Sequence, residues 1–159
     1  MPFRLAEPSA GRYGSGETER YDTLDIHKLE QSSAEKYGNG KTILVVEDDE
    51  GISEMLALTL EQETSYQPLV VSSGQEALRV VQAVQPMLLL LDYQLPDMTG
   101  IEVYDRLHAR KEFTAIPAIV MSANVPRHEL SKRHLIELEK PFEIDTLVDL
   151  VETVCGDCL

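Results

Sequence analysis

The chain of 159 residues is 43% hydrophobic and 26% charged, an ordinary balance that excludes a fibrous repeat or disorder throughout. Its formal net charge of −14 opposes contact with phosphate backbones and anionic bilayers, so neither nucleic acid nor membrane is expected as a partner, and proteins and cations remain. The length suits one domain with appendages, no apolar stretch reaches the ~18–20 residues that cross a bilayer, and the opening lacks the apolar core of a secretory signal, so a cytoplasmic protein is expected.

Residues 1–40 are rich in Gly, Ser and acids and lack a sustained hydrophobic period. They read as an N-terminal extension, either flexible or carrying a short helix that Asp22-Thr23-Leu24-Asp25 would cap. From Lys41 onward, where 21 acids face nine bases, short apolar runs alternate with helical periods. Ile43 to Val46 reads as a buried strand, followed by a helix bearing Ile52, Met55, Leu56, Thr59 and Leu60. Leu69 to Val71 is a second strand, and Ser73-Gly74-Gln75-Glu76 has the form of a capping box opening a helix that stops at Pro86. Met87 to Leu91 is the third strand, then a loop through Pro96 and Gly100 and a helix bearing Ile101, Tyr104 and Leu107. Ile119 to Met121 is the fourth strand, Val125 to Lys132 is a short segment of uncertain form, and His134 to Leu138 is the fifth strand. The last helix places Ile144, Leu147, Val148 and Val151 on one face. Its end carries Cys155 and Cys158; without a second ligand pair, two thiols at a fraying terminus are a simpler reading than a redox or zinc motif.

Five strand-helix units with continuously apolar strands require a parallel sheet covered on both faces, a three-layer α/β sandwich. Ligands in such folds sit at the carboxyl ends of the strands. Polar groups wait there in turn: Glu47-Asp48-Asp49, Ser72-Ser73, Asp92, Ser122-Ala123 and Lys140-Pro141. Carboxylates brought to one edge by neighbouring strands form a site for a hard cation.

Four motifs carry a resemblance: Ile43-Leu44-Val45-Val46-Glu47-Asp48-Asp49, Leu91-Asp92-Tyr93-Gln94-Leu95-Pro96-Asp97-Met98-Thr99-Gly100, Val120-Met121-Ser122-Ala123 and Lys140-Pro141-Phe142. In this order and spacing, residues 41–159 resemble a receiver domain of the response regulator family, of the CheY-like kind in two-component systems. The resemblance implies a flavodoxin-like (βα)5 sandwich with strand order 2-1-3-4-5. It makes Asp92 the phosphoacceptor and Lys140 and Ser122 its reactive neighbours. It assigns Mg2+ to Asp48, Asp92, Glu47 and the backbone carbonyl of Gln94. The implied partner is a sensor histidine kinase or phosphotransfer protein; a homodimer is a further option, on the strand and helix surfaces expected to be exposed between Ser122 and Lys140. No separate enzymatic turnover is implied, only phosphoryl acceptance and loss.

Two departures stand out. Lys140 follows Ser122 by only 18 positions, about one helical turn fewer than the family's usual interval, so the fourth helix is expected to be shortened or missing. Residues 123–141 hold no Phe, Tyr or Trp, and Glu137 stands where the family places a switch aromatic. The usual readout of phosphorylation is therefore not expected here. Too few residues follow Val154 for an output domain, which favours a single-domain regulator acting by partner binding or phosphorelay. Two other classes compete. One is a module of the same fold working by interaction or dimerisation without phosphorylation; the other is a magnesium phosphatase, which Asp92-Tyr93-Gln94 disfavours for want of a second acid.

Overall fold

The computed structural model describes residues 40–157, and the expectation for residues 1–40 lies almost wholly outside them. Five strands, β1 (Thr42–Val46), β2 (Gln67–Val71), β3 (Leu88–Asp92), β4 (Ala118–Ser122) and β5 (Ile136–Glu139), form one sheet in the order β2-β1-β3-β4-β5. Every pairing is parallel. Five helices connect or follow them: α1 (Glu50–Glu63), α2 (Gly74–Val84), α3 (Gly100–His108), α4 (Arg127–Ser131) and α5 (Ile144–Asp157). The flavodoxin-like order expected from the sequence is the observed one.

The continuous apolar runs divide their side chains between the two faces. Leu44, Val46, Leu89 and Leu91 enter the core under α2 and α3, while Ile43, Val45, Leu88 and Leu90 enter the core under α1 and α5. That alternation explains why β1 after Thr42, and β3, carry no polar residue until their carboxyl ends: each successive side chain points to an opposite, equally covered face. A smaller cluster of Ile101, Val120, Val125 and Leu130 seats α4.

Local chemistry sets the helix starts. Asp49 caps α1 by accepting the Ile52 N–H at 2.9 Å. Ser73 Oγ caps α2 by accepting the Glu76 N–H, but the reciprocal half of the expected box goes elsewhere: the Glu76 carboxylate takes the N–H and hydroxyl of Ser72, at 3.0 and 2.9 Å. Bonding Ser72 satisfies two donors, whereas the Ser73 N–H would have offered one. The complete capping box is at α3, where Thr99 and Glu102 bond each other's backbone N–H, both at 3.1 Å.

The fourth helix is short, with five residues, as the spacing predicts. The fifth strand begins two residues later than the apolar pattern suggests. His134 adopts a left-handed φ of 56°, which turns the chain before the ladder can start. Cys155 is buried against the α1–α5 core rather than at a frayed end, and Cys158 lies outside the described residues. None of the helices among the described residues is long and apolar enough to cross a membrane.

Candidate functional site

Strand register places the expected residues along one edge of the sheet. Val46 pairs with Leu91, so Glu47 and Asp92 emerge side by side; Asp92 pairs with Met121 and Ser122 with Glu139, which brings Ser122 and Lys140 alongside. Backbone bonds continue the ladder at this edge, from Glu47 N–H to the Val71 carbonyl at 3.0 Å, Tyr93 N–H to Met121 at 2.9 Å and Lys140 N–H to Ser122 at 2.9 Å. The Lys140–Pro141 peptide is cis.

The three consecutive acids of the first motif have separate tasks. Asp49 caps α1 and donates its own N–H to Glu47 Oε2 at 3.1 Å. Glu47 and Asp48 turn to the cleft, where each, with Asp92, offers a carboxylate oxygen within 4.8 Å of the others. Glu47, Asp92 and Ser122 are buried, at 2, 7 and 3% exposure. Lys140 spans the cluster, with Nζ 3.1 Å from Asp92 Oδ1 and 3.4 Å from Glu47 Oε1.

Charge in this confined space is finely balanced. Burial pushes the Glu47 carboxyl up to about 7, against the Asp49 N–H that lowers it; the Asp92 charge raises it and the Lys140 charge lowers it. Burial also works against the Lys140 charge, but the bond to Asp92 and the field of Glu47 outweigh it, so the ammonium's pKa is raised. One lysine does not neutralise three acids. The donors are all oxygens, two of the acids are buried, and the local charge is in excess. That set fits a hard divalent cation of the Mg2+ type.

A cleft of about 210 Å³ opens over Asp92, lined by Tyr93, Gln94, Ser122, Ala123, Asn124 and Lys140. Ser122 Oγ accepts the Asn124 N–H at 2.8 Å. Gln94 lies on the rim opposite Thr99 in an antiparallel bridge. The flanking bonds, Gly100 N–H to Tyr93 at 2.8 Å and Leu95 N–H to Met98 at 3.1 Å, make this a pair whose members do not bond each other. The Gln94 carbonyl is thus directed away from Thr99. Gly100 is needed for close approach: a Cβ there would collide with the backbone carbonyl oxygen of Asp92.

All the residues singled out from the sequence, Glu47, Asp48, Asp92, Gln94, Ser122 and Lys140, therefore converge on one edge. A family model for the response regulator receiver domain matches residues 43–152. The chain belongs to the response regulator receiver family. Among curated relatives, the phosphate regulon transcriptional regulatory protein PhoB of Pseudomonas aeruginosa is 40% identical over 84 residues, covering 53% of this chain and 36% of PhoB. The polar-differentiation response regulator DivK of Brucella ovis is 29% identical over 121 residues, covering 74% of this chain and 98% of DivK. The chain thus spans about a third of the first relative and nearly all of the second. A putative response regulator from Chloroflexus aurantiacus has a solved structure of TM-score 0.68 at 27% identity, covering 74% of this chain and 99% of that one.

Sequence reasoning missed residues that hold this receiver together around its cleft. Asn124 fixes the Ser122 hydroxyl, and Asp97 accepts two N–H groups from α2, at 2.9 Å each. Arg133 binds Asp105 of α3 and Glu129 of α4. Asn124 lay two residues from a chosen site residue and could have been flagged. The partners of Asp97 and of Arg133 on α3 are 22 to 28 residues away, beyond any local signal.

Proposed function

We propose that this receiver accepts a phosphoryl group on Asp92 from the phosphohistidine of a sensor histidine kinase or phosphotransfer protein, and signals by partner binding or onward relay. The observation that supports this reading is Lys140 Nζ standing 3.1 Å from Asp92 Oδ1 beside a buried Ser122. An Asp92 carboxylate oxygen forms the new O–P bond as the N–P bond of the phosphohistidine breaks; the imidazole leaves with the electron pair and takes up a proton. Lys140, a mobile point charge, pairs with the carboxylate beforehand and follows the charge to a phosphoryl oxygen afterward. The Ser122 oxygen already accepts the Asn124 N–H, which leaves its own hydrogen to donate to the phosphoryl group. Asp48, Asp92 and the Gln94 carbonyl, with Glu47 as outer partner, would hold Mg2+. Bound there, the ion offsets carboxylate repulsion and the phosphoryl group's negative charge.

The test is incubation with Mg2+ and a small acyl phosphate, followed by intact-mass measurement. A phosphoryl adduct present in the natural chain and absent from Asp92→Asn is the expected result. No adduct at any dose would leave the phosphorylation-independent interaction module, and sustained turnover of phosphomonoesters would point to a phosphatase.

A further inference from the structure

The loop between β3 and α3 carries Gln94 to the rim of the cleft, and its conformation is fixed from outside the site. Its base is closed by the Gly100 N–H to Tyr93 and Leu95 N–H to Met98 bonds. Its tip reaches across to the start of α2. Asp97 Oδ1 accepts the Gly74 N–H and Oδ2 accepts the Gln75 N–H, both at 2.9 Å. These are among the first N–H groups of an 11-residue helix, which have no partner within the helix, so both carboxylate oxygens are held by donors that are themselves rigid. The next residue, Met98, is buried against Gly74, where a Cβ would come within 2.5 Å of Met98 Cγ. The tip is therefore gripped by two adjacent side chains, one polar and one apolar.

We infer that Asp97 is a positioning residue for the metal and phosphoryl site: it locks the Gln94 carbonyl at the cleft by anchoring the tip of its loop to the amino end of α2. This rests on the function proposed above. Asp97 does not line the cleft, and its effect reaches Gln94 through the backbone of Leu95 and Pro96. α2 does not depend on Asp97 alone for capping, because Ser73 Oγ also accepts the Glu76 N–H, at 3.2 Å. The two caps therefore separate two roles. Both stabilise α2, but only Asp97 connects it to the loop that bears Gln94.

Full-length chains carrying Asp97→Ala, Asp97→Asn or Ser73→Ala would be titrated with Mg2+, following the backbone amide signals of Tyr93 and Gln94 by NMR. In parallel, phosphorylation by a small acyl phosphate would be measured across Mg2+ concentrations, and amide exchange at Leu95 and Gly100. Asp97→Ala is expected to raise half-saturating Mg2+ by about three- to tenfold, below the range for residues bonded directly to ligands. Its phosphorylation rate should recover at saturating Mg2+, exchange at Leu95 and Gly100 should quicken, and Asp97→Asn should fall between. Ser73→Ala should stay within about twofold of the natural chain in Mg2+ affinity, although it too weakens α2. Equal Mg2+ shifts in Asp97→Ala and Ser73→Ala, or none in either, would overturn the inference. If the natural chain bound no Mg2+ and took no phosphoryl group, the proposed function would fail and this inference with it; a natural chain that does both while Asp97→Ala matches it defeats the inference alone.

Discussion

On one side of the cleft, every residue from Ile43 to Val46 in β1 and from Leu88 to Leu91 in β3 has no exposed surface, and the two strands deliver Glu47 and Asp92 from between two full cores. On the other side, β5 is an edge strand with Glu137 half-buried and Glu139 exposed, the half-buried Lys140 follows it, and the helix before it has five residues seated on a small cluster. Asp92, the proposed nucleophile, and Glu47, proposed to help hold the metal, thus emerge from the most heavily packed part of the molecule. Ser122 ends β4 and Lys140 follows β5, the two strands that flank its thinnest part. Under the proposed function, the carboxylates that repel one another are held by the rigid side, and the flank that costs little to move is the one free to respond to phosphorylation.

The comparison can be broken first by removing the same side chain from each region. Leu90→Ala empties a fully buried position between α1 and α5 and is expected to cost about 2–5 kcal/mol in denaturant unfolding. Leu130→Ala on α4 removes as many atoms from a buried position, but the small cluster around it can collapse, so a loss at the low end of that range, about 2 kcal/mol, is expected. Equal losses would show that the α4 flank is as well packed as the centre.

The next effect arises within the rigid side. Glu47 has its pKa raised to about 7 in the fold, from an ordinary value of 4.5, by burial. Across that window the folded chain holds a proton that the unfolded chain has released, so stability is greatest below it and falls as pH rises through it. Without divalent cation the loss between about pH 5 and pH 8 should be at most about 3 kcal/mol, read from denaturation midpoints at a series of pH values. Glu47→Gln should flatten the profile, and saturating Mg2+ should restore stability at the alkaline end. A natural chain whose stability rises through this window without metal would contradict the picture of a Glu47 carboxyl held protonated by burial.

The two sides also differed in how far they could be read from sequence. β1 and β3 were legible because burial on both faces leaves an unbroken apolar run, and an acid that ends such a run marks the point where the strand leaves the core for a cleft. The departure at α4 was legible through the short interval between Ser122 and Lys140. What held that flank in place was not. The start of β5 depends on the left-handed turn at His134, which no apolar pattern encodes, and the anchoring of α4 depends on a guanidinium pairing across 28 residues. Asp97 was read only as part of its motif for the same reason: its role is set by the donors it meets, and these come from a distant helix start.

The smallest expected effect concerns that guanidinium. Arg133 holds Asp105 through two bonds, at 2.7 and 2.9 Å, and takes the side chain and carbonyl of Glu129 with its remaining nitrogen, at 2.7 Å each. Its own carbonyl accepts the Tyr104 hydroxyl at 3.3 Å, so α3 grips this segment by both side chain and backbone. The ion pairs are partly exposed, with Asp105 about half so, which limits their contribution; Arg133→Ala should cost about 1 kcal/mol. Arg133→Lys should recover little of it, because an ammonium cannot reproduce the planar fork that spans two carboxylates. The loss should be local, seen as faster amide exchange at Arg133 and Leu135, whose N–H groups bond Leu130, with phosphoryl acceptance from a small donor unchanged within about twofold. If acceptance instead fell with the clamp, the flank would be part of the proposed reaction centre, and the proposed division between a rigid side that reacts and a thin side that responds would have to be abandoned.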